Sequence, residues 1–409
     1  MRIQRIATLN PTYLEQFYTP ERQSRLESYA KNHSDLMYDC VGWADYWSVA
    51  LRKQGIEMDE VAGNARPLQE LWARENGVTY SNENWMLDIV SAQVERYKPD
   101  VLFFTDYWNF PSAFIRQLRS NIRSIRSVVI WCGAPYRNES VFRECDLVLS
   151  CIPDLVEHFR ARGLKSELLD HAFEPRILER LQGHSSGQVD FAFMGSIVLQ
   201  SQFHIERELL LRNLIDQIDI EIWSDMTKVS PLQHALFASK RAAYDLVVAL
   251  LSAGVPRSLL NSIPIVKKIL KWQERPGVPL CVNRRLKHRS HPALFGLEMF
   301  QQIRESKAVL NKHIDISANN SSNMRLYEVT GVGSCLITDW KRDVARNFDP
   351  DHEIITYRSP AECLEKVSYL LDHDNVRQQI ARAGQLRTLR DHTFDSRAPQ
   401  LASAIRSLV

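Results

Sequence analysis

No stretch of the 409 residues is apolar for long enough to cross a bilayer: the most apolar run, Leu246–Val255, falls well short of the roughly 20 residues that takes. Neither sign of charge dominates, with 51 Lys and Arg against 49 Asp and Glu and a net charge of +2. That balance lacks the basic excess of a nucleic-acid-binding chain. The seven cysteines, at 40, 132, 145, 151, 281, 335 and 363, contain no CxxC pair. Their odd number and scattered spacing argue for reduced thiols in a cytosolic setting and against a zinc site. The opening residues, MRIQRIATLN, hold no apolar h-region, so no signal peptide is expected. Repeats at solenoid spacing are also missing. What is there, 44% hydrophobic and 24% charged residues, is the make-up of a globular protein with room for two or three domains.

Residues 1–35 read as a polar, helical leader, and Leu36–Val41 as a first strand. Strands then follow at Ile56–Val61, Val101–Thr105, Ser127–Cys132 and Asp146–Cys151, alternating with helices at Asp45–Lys53, Trp85–Tyr97, 110–123 and Pro153–Arg162. Continuously apolar strands between helices signal a parallel sheet covered on both faces. A linker is expected at 176–188, where Gly183 and a polar run interrupt the pattern. The alternation restarts with strand Asp190–Met194, helix Ile205–Gln217, strand Ile218–Trp223 and a mainly helical region 232–275. Val278–Val282, Lys307–Asn311, Ser334–Thr338 and Glu353–Tyr357 read as further strands, and three helices close the chain. The expectation is an α/β protein of two Rossmann-like, doubly wound domains, 1–175 and 189–394, facing across a cleft. A C-terminal helix at 395–409 is expected to cross back to the first domain. Ligands of such sheets lie at the carboxyl ends of the strands.

One stretch stands out, KHIDISANNSSNMRLYEVTGVGSCLITD from Lys312 to Asp339. A polar loop feeds a helix at Met324–Thr330 that Gly331 and Gly333 end, and the helix N-terminus suits an anion. Glu328, inside that helix, is a carboxylate without an evident local reason. Asn311 and His313 leave the preceding strand beside Asn323 and Arg325, which makes all four candidates for an anion-binding site and His313 a catalytic candidate. Gly195-Ser196, between a strand and a helix, can bring backbone N–H groups to a diphosphate. His204 and Arg207, one turn apart, can add positive charge there. In the first half, the turn Gly42–Asp45 places Trp43 and Asp45 at the cleft, and Gly133 ends another strand. Asp106 is either a general base for a hydroxyl or the cap of the helix after it, the cap being favoured. Gly331-Val-Gly333 follows a helix and precedes a strand, the wrong context for a dinucleotide fingerprint, so a nicotinamide cofactor is rejected. Arg116, Arg119, Arg123 and Arg126 recur on one helical face, a solvated face first and an anionic-lipid contact second. The run Arg284–Arg289 reads as a loop.

The motifs LNKHID…NMRLYEVTGVGSCLITD, FDPDHEIITYRSPAECLEKVSYLL and RQQIARAGQLRTLRDHTFDSR resemble the C-terminal domain of bacterial glycosyltransferases related to the spore-maturation CgeB protein. The resemblance runs from about Phe295 to the C-terminus, with looser echoes at FAFMGS…HIER, PDVLFFTDYW and DLVLSCIPDLVEHF. It implies the two-domain fold called GT-B, with a nucleotide sugar (UDP-, GDP- or dTDP-linked) on the second domain and the acceptor on the first. Glu328 then falls where the family places a glutamate on the donor ribose, and Phe295-Gly296 where a loop packs the nucleobase. Asn320 stands where many retaining relatives carry a glutamate, and Gly333 joins the donor set. A metal-independent hexosyltransferase is implied, needing no cofactor, with a glycan, lipid-linked saccharide or protein as acceptor and no nucleic acid. Its expected place is cytoplasmic, peripheral at the inner membrane where the acceptor is lipid-linked. A sugar-nucleotide epimerase or hydrolase, or a non-catalytic binding protein on the same fold, are the alternatives.

Overall fold

In the computed structural model, which describes residues 1–134, 136, 139–183, 188–199, 203–226, 230–270, 272, 275–276 and 281–409, two six-stranded sheets are built wholly from parallel pairs. The first contains β1 (Arg2–Ala7), β2 (Glu57–Ala62), β3 (Val101–Phe104), β4 (Ser127–Trp131), β5 (Leu147–Ser150) and β6 (Ser166–Leu168), in the order β2-β1-β3-β4-β5-β6. The second contains β7 (Val189–Met194), β8 (Glu221–Trp223), β9 (Ser290–His291), β10 (Ser306–Asn311), β11 (Cys335–Asp339) and β12 (Ile355–Tyr357), in the order β12-β11-β10-β7-β8-β9. The central strands are apolar along their length because helices cover both faces: every residue of β3, β4 and β5 is buried. Chain direction across each sheet reverses beside its first strand, between β1 and β3 and between β7 and β10. A crevice opens at such a switch point.

Two expectations near the start fail. MRIQRIA is no helical leader but β1, an inner strand of the first sheet between β2 and β3. Its polar residues disguised it: Gln4 donates to Asp59 at 2.8 Å, and Arg5 is buried in an ion pair with Glu60 of β2. Leu36–Val41 is not a strand, because the helix Tyr29–Tyr38 runs into it. Farther on, Arg284–Arg289 forms a short helix rather than a loop, capped by the Asn283 side chain. The helix near Glu328 spans Arg325–Val332 and passes through Gly331, where a Cβ would lie 2.3 Å from the Phe173 ring; only Gly333 ends it, in a left-handed cap. Residues 278–280 of the strand expected at Val278–Val282, and 184–187 of the expected linker, lie outside the described residues.

The sheets meet through several cross-contacts. Arg346 grips Asp170 through two bonds of 2.5 and 2.8 Å, and Asp225 accepts from Asn10 and Thr12 at 3.4 and 3.3 Å. The helix Phe394–Arg406 packs on Tyr46–Arg52 of the first sheet's layer, with Phe394 edge-on to Trp47 at 4.8 Å and Arg406 donating to the Gln54 carbonyl at 2.6 Å. Among the described residues no helix is long and apolar enough to cross a membrane.

Candidate active site: two pockets in the cleft

At the switch point of the second sheet lies a pocket of about 280 Å³. Gly195 and Ser196 form one wall, directly after β7, and Asn311 at the end of β10 forms another. His204, Arg207, Phe295, Asn323 and Arg325 complete the set, so eight of the residues singled out from sequence line one space.

Arg207 is its electrostatic centre. The guanidinium is almost wholly buried; it donates to the carbonyls of Ser196 and Lys312, both at 2.7 Å, while its Nε has no partner. No carboxylate pairs with it among the described residues. Burial, with Asp339 and Asp315 opposing, lowers its pKa to about 10, so the group stays charged at neutral pH. A buried cation without a counter-ion is costly unless an anion arrives. Arg325 is a second cation on the wall, paired to Glu328 at 2.8 Å.

His204 adds no charge. Burial and the neighbouring Arg207 press its pKa down to about 3, and its Nδ1 accepts the Val198 N–H at 2.9 Å. The helix beginning at Ile205 is also taken: Asp315 accepts from Ile205 N and Glu206 N at 2.8 and 3.2 Å. At the helix Arg325–Val332, Leu326 N and Tyr327 N bond back to Asn323 and Met324, which leaves fewer free donors than a helix start alone suggests. Side chains rather than helix ends supply the positive potential.

Asn311 works as an organiser. It donates to Thr338 at 2.8 Å and accepts from Asn323 at 2.6 Å, holding the Asn323–Arg325 turn against the pocket. Five residues expected here do not line the pocket, among them Glu328, which is joined to its wall through the ion pair with Arg325. His313 is fully buried and bonded through Nδ1 to Asp339 at 2.7 Å; its Nε2 has no partner, but the residue does not line the pocket. Asp339 in turn collects Lys312 at 3.0 Å and Lys341 at 3.2 Å; burial raises its pKa, but these three partners pull it well below the carboxylate range. Asn320 is buried at the join between the layers, accepting from Asp154 N at 3.3 Å. Gly333 sits at the far end of its helix, with Gln385 closing over it. Gly296 supports rather than lines: it packs on Asp39 of the first layer.

A second pocket, about 190 Å³, opens at the switch point of the first sheet. Ala7 at the end of β1 and Thr105 after β3 mark that position, and Trp43, Trp131, His171, Arg5 and Glu60 line it. Met324 reaches in from the second layer. The consecutive residues Asn323, Met324 and Arg325 thus border both pockets.

His171 was hidden in a segment that carries no periodic pattern. It leans on Trp43 and Trp131, at ring distances of 5.9 and 5.2 Å, and its buried Nδ1 has no partner. Burial presses its pKa to about 4, which leaves a neutral imidazole facing the cleft. The buried indole N–H of Trp43 is also unpartnered. Glu60 is pushed up to about 7 by burial despite Arg5.

Asp106, by contrast, is spent as a cap. It accepts from Thr8 at 2.6 Å, Trp108 N at 2.6 Å, and Asn109 through both its backbone and its side chain. No lone pair is left for a substrate hydroxyl. Asp45 is tied to Arg176 by bonds of 2.9 and 3.2 Å, and Gly133 leaves room for the Trp131 indole, 2.8 Å from where a Cβ would sit. Trp43 alone of the acceptor-side residues lines the pocket. Two arginines of the basic face are paired with acids, Arg116 with Glu144 and Arg119 with Asp146, and Arg126 bonds the carbonyl of Val409.

Residues 228–403 match a family model described as glycosyl transferase-like. No curated protein matches the chain in sequence. Among solved structures, the Anabaena protein HepE in complex with UDP-glucose superposes over 100% of both chains, at 9% identity and a TM-score of 0.56. A sucrose-phosphate synthase from Thermosynechococcus elongatus covers 100% of this chain and 99% of its own, at 10% identity and 0.55. A glycosyltransferase from Rickettsia africae covers 100% and 98%, at 8% identity and 0.53. Residues 228–403 are thus similar to that family, and the chain as a whole has the two-domain GT-B fold of these structures.

Proposed function

We propose that the protein is a glycosyltransferase that moves a sugar from a nucleoside diphosphate to a hydroxyl acceptor. The observation that carries this reading is Arg207, a buried cation with no counter-ion among the described residues, facing a pocket at the sheet's switch point. A diphosphate supplies the missing charge. As the bond to the sugar breaks, negative charge grows on the leaving phosphate, and fixed cations in a desolvated pocket stabilise it more than water does. Arg325 gives the second contact. Glu328, one turn along and bonded to Arg325, takes the ribose hydroxyls, and Phe295 takes the base. The UDP-glucose bound by the HepE structure is a donor of this chemical class.

The acceptor enters the second pocket, with Trp43 offering a flat apolar surface to a sugar ring. Met324 separates this pocket from the donor and lets the two substrates meet at the Asn323–Arg325 turn. In a reaction with inversion, His171 takes the acceptor proton. Its neutral ring is in the accepting form at pH 7, whereas Asp106 has no free lone pair. Closure of the domains excludes water from the same turn.

A thermal-shift panel of UDP-, GDP- and dTDP-sugars tests the reading. One of them raises the melting temperature of the wild type, and Glu328→Ala reduces that shift. If none stabilises the wild type more than the variant, the ribose assignment is lost; if none stabilises either, the donor site is lost with it.

A further inference from the structure

We propose that the helical excursion at residues 230–270 seats on an anionic membrane surface. It leaves the second sheet after the carboxyl end of β8, where Asp225 lines the donor pocket, and the chain re-enters that sheet at the amino end of the parallel strand β9, through the helix Arg284–Arg289. Its helices are Pro231–Ser252, Arg257–Asn261 and Pro264–Ile269.

Eight of the sixteen exposed large apolar side chains among the described residues fall in this short segment. Leu232 is 79% exposed, Ile265 69%, Leu259 63% and Leu246 61%, in a protein whose other Leu and Ile residues are mostly buried. Single exposed leucines need no explanation, but a cluster does. On the long helix, Leu232, Ala235, Ser239, Ala242, Leu246 and Ala249 recur at steps of three and four, all exposed and none charged. The inward side holds the buried Val247.

Charge selects the occupant. The segment contains Lys240, Arg241, Arg257, Lys267 and Lys268 against one acid, Asp245, and that acid is already paired with Arg275. None of the five cations makes an ion pair among the described residues. A second copy of the chain would bring the same positive charge to the contact and be repelled. An anionic lipid surface accepts both features at once, taking leucines into the headgroup boundary and cations at the phosphates. It also brings the cleft to the plane in which a lipid-linked hydroxyl lies.

Flotation of the full chain with vesicles tests this, using phosphatidylcholine alone and phosphatidylcholine mixed equally with phosphatidylglycerol. Binding to the phosphatidylglycerol vesicles that weakens with salt is the expected result. The surface variant Leu232→Glu/Leu246→Glu/Ile265→Glu should bind at least about tenfold less. Lys267→Glu/Lys268→Glu should lose about tenfold and with it most of the preference for anionic lipid. All five positions are exposed or at helix ends, and an unchanged thermal melt confirms that the fold survives. Absence of binding to either vesicle overturns the proposal. So does wild-type dimerisation in light scattering that the leucine variant abolishes without any vesicle binding, which would make the surface a self-contact. Neither outcome depends on whether a nucleotide sugar binds.

Discussion

Gly296 stands against Asp39 across the join between the two layers: Leu297 N donates to the Asp39 carbonyl at 2.9 Å, and a Cβ at 296 would lie 2.2 Å from that oxygen. The φ of Gly296 is +55°, a region that other residues resist. The position looked like a nucleobase loop in sequence. It fixes instead how closely the first layer approaches the helix Gly296–Glu305, and so sets the width of the cleft.

Gly296→Ala should therefore lower the melting temperature more than Gly77→Ala does. Both glycines have positive φ, but nothing lies within 4 Å of a Cβ at 77. The exposed site should lose about 1 kcal/mol, the backbone term alone. The buried one should lose that plus the clash, about 3 kcal/mol in total. Equal losses in chemical denaturation would remove the inter-layer contact as the reason for this glycine.

Arg207→Lys keeps a positive charge but cannot bridge the carbonyls of Ser196 and Lys312 and still present a planar fork to a diphosphate. Binding of the nucleoside diphosphate that stabilises the wild type should weaken about tenfold in calorimetry. Unchanged affinity would place the diphosphate elsewhere.

His171→Asn should leave the donor-induced thermal shift intact and reduce turnover by about a hundredfold or more. The acid limb of the pH–rate profile should disappear with it. A variant that loses donor binding to the same degree would make His171 structural.

Stability should fall in acid through buried histidines. His171 and His392 are pushed down to about 4 and His204 to about 3, all by burial first. Between pH 6.5 and these values the unfolded chain binds protons that the native chain refuses. The contribution is therefore complete above about pH 6.5 and shrinks as pH drops, by about 1.4 kcal/mol per unit for each histidine. Glu60, raised to about 7, acts in the opposite sense: its destabilising ionisation in the fold grows from about pH 4.5 to 7. Denaturation midpoints across pH 4–7.5 check the balance, and His171→Asn should flatten the acid slope.

Much of the fold in both halves was legible because its local signals agree. Trp85–Tyr97 and Gly296–Glu305 have the helix limits that periodicity predicts, and β10 and β11 are buried on both faces as their apolar runs require. The failures have one cause. Arg5 and Gln4 made β1 look polar, and only their pairing with Glu60 and Asp59 on the neighbouring strand makes burial tolerable. Likewise, His313 looked available until Asp339 closed over it, and His171 stood in a stretch without periodic pattern until Trp43 and Trp131 enclosed it.

Chemical type was thus written locally: two alternating α/β halves, a polar turn before Arg325, and glycine and serine after β7. Which of those polar groups face a ligand was decided by long-range partners. A carboxylate such as Asp106, both of whose oxygens already accept two bonds, has no capacity left, while Arg207, buried without a counter-ion among the described residues, does. Such pairing joins residues 26 positions apart in His313 and Asp339, 55 in Arg5 and Glu60 and 105 in Arg207 and Lys312, and no local pattern in the chain encodes it.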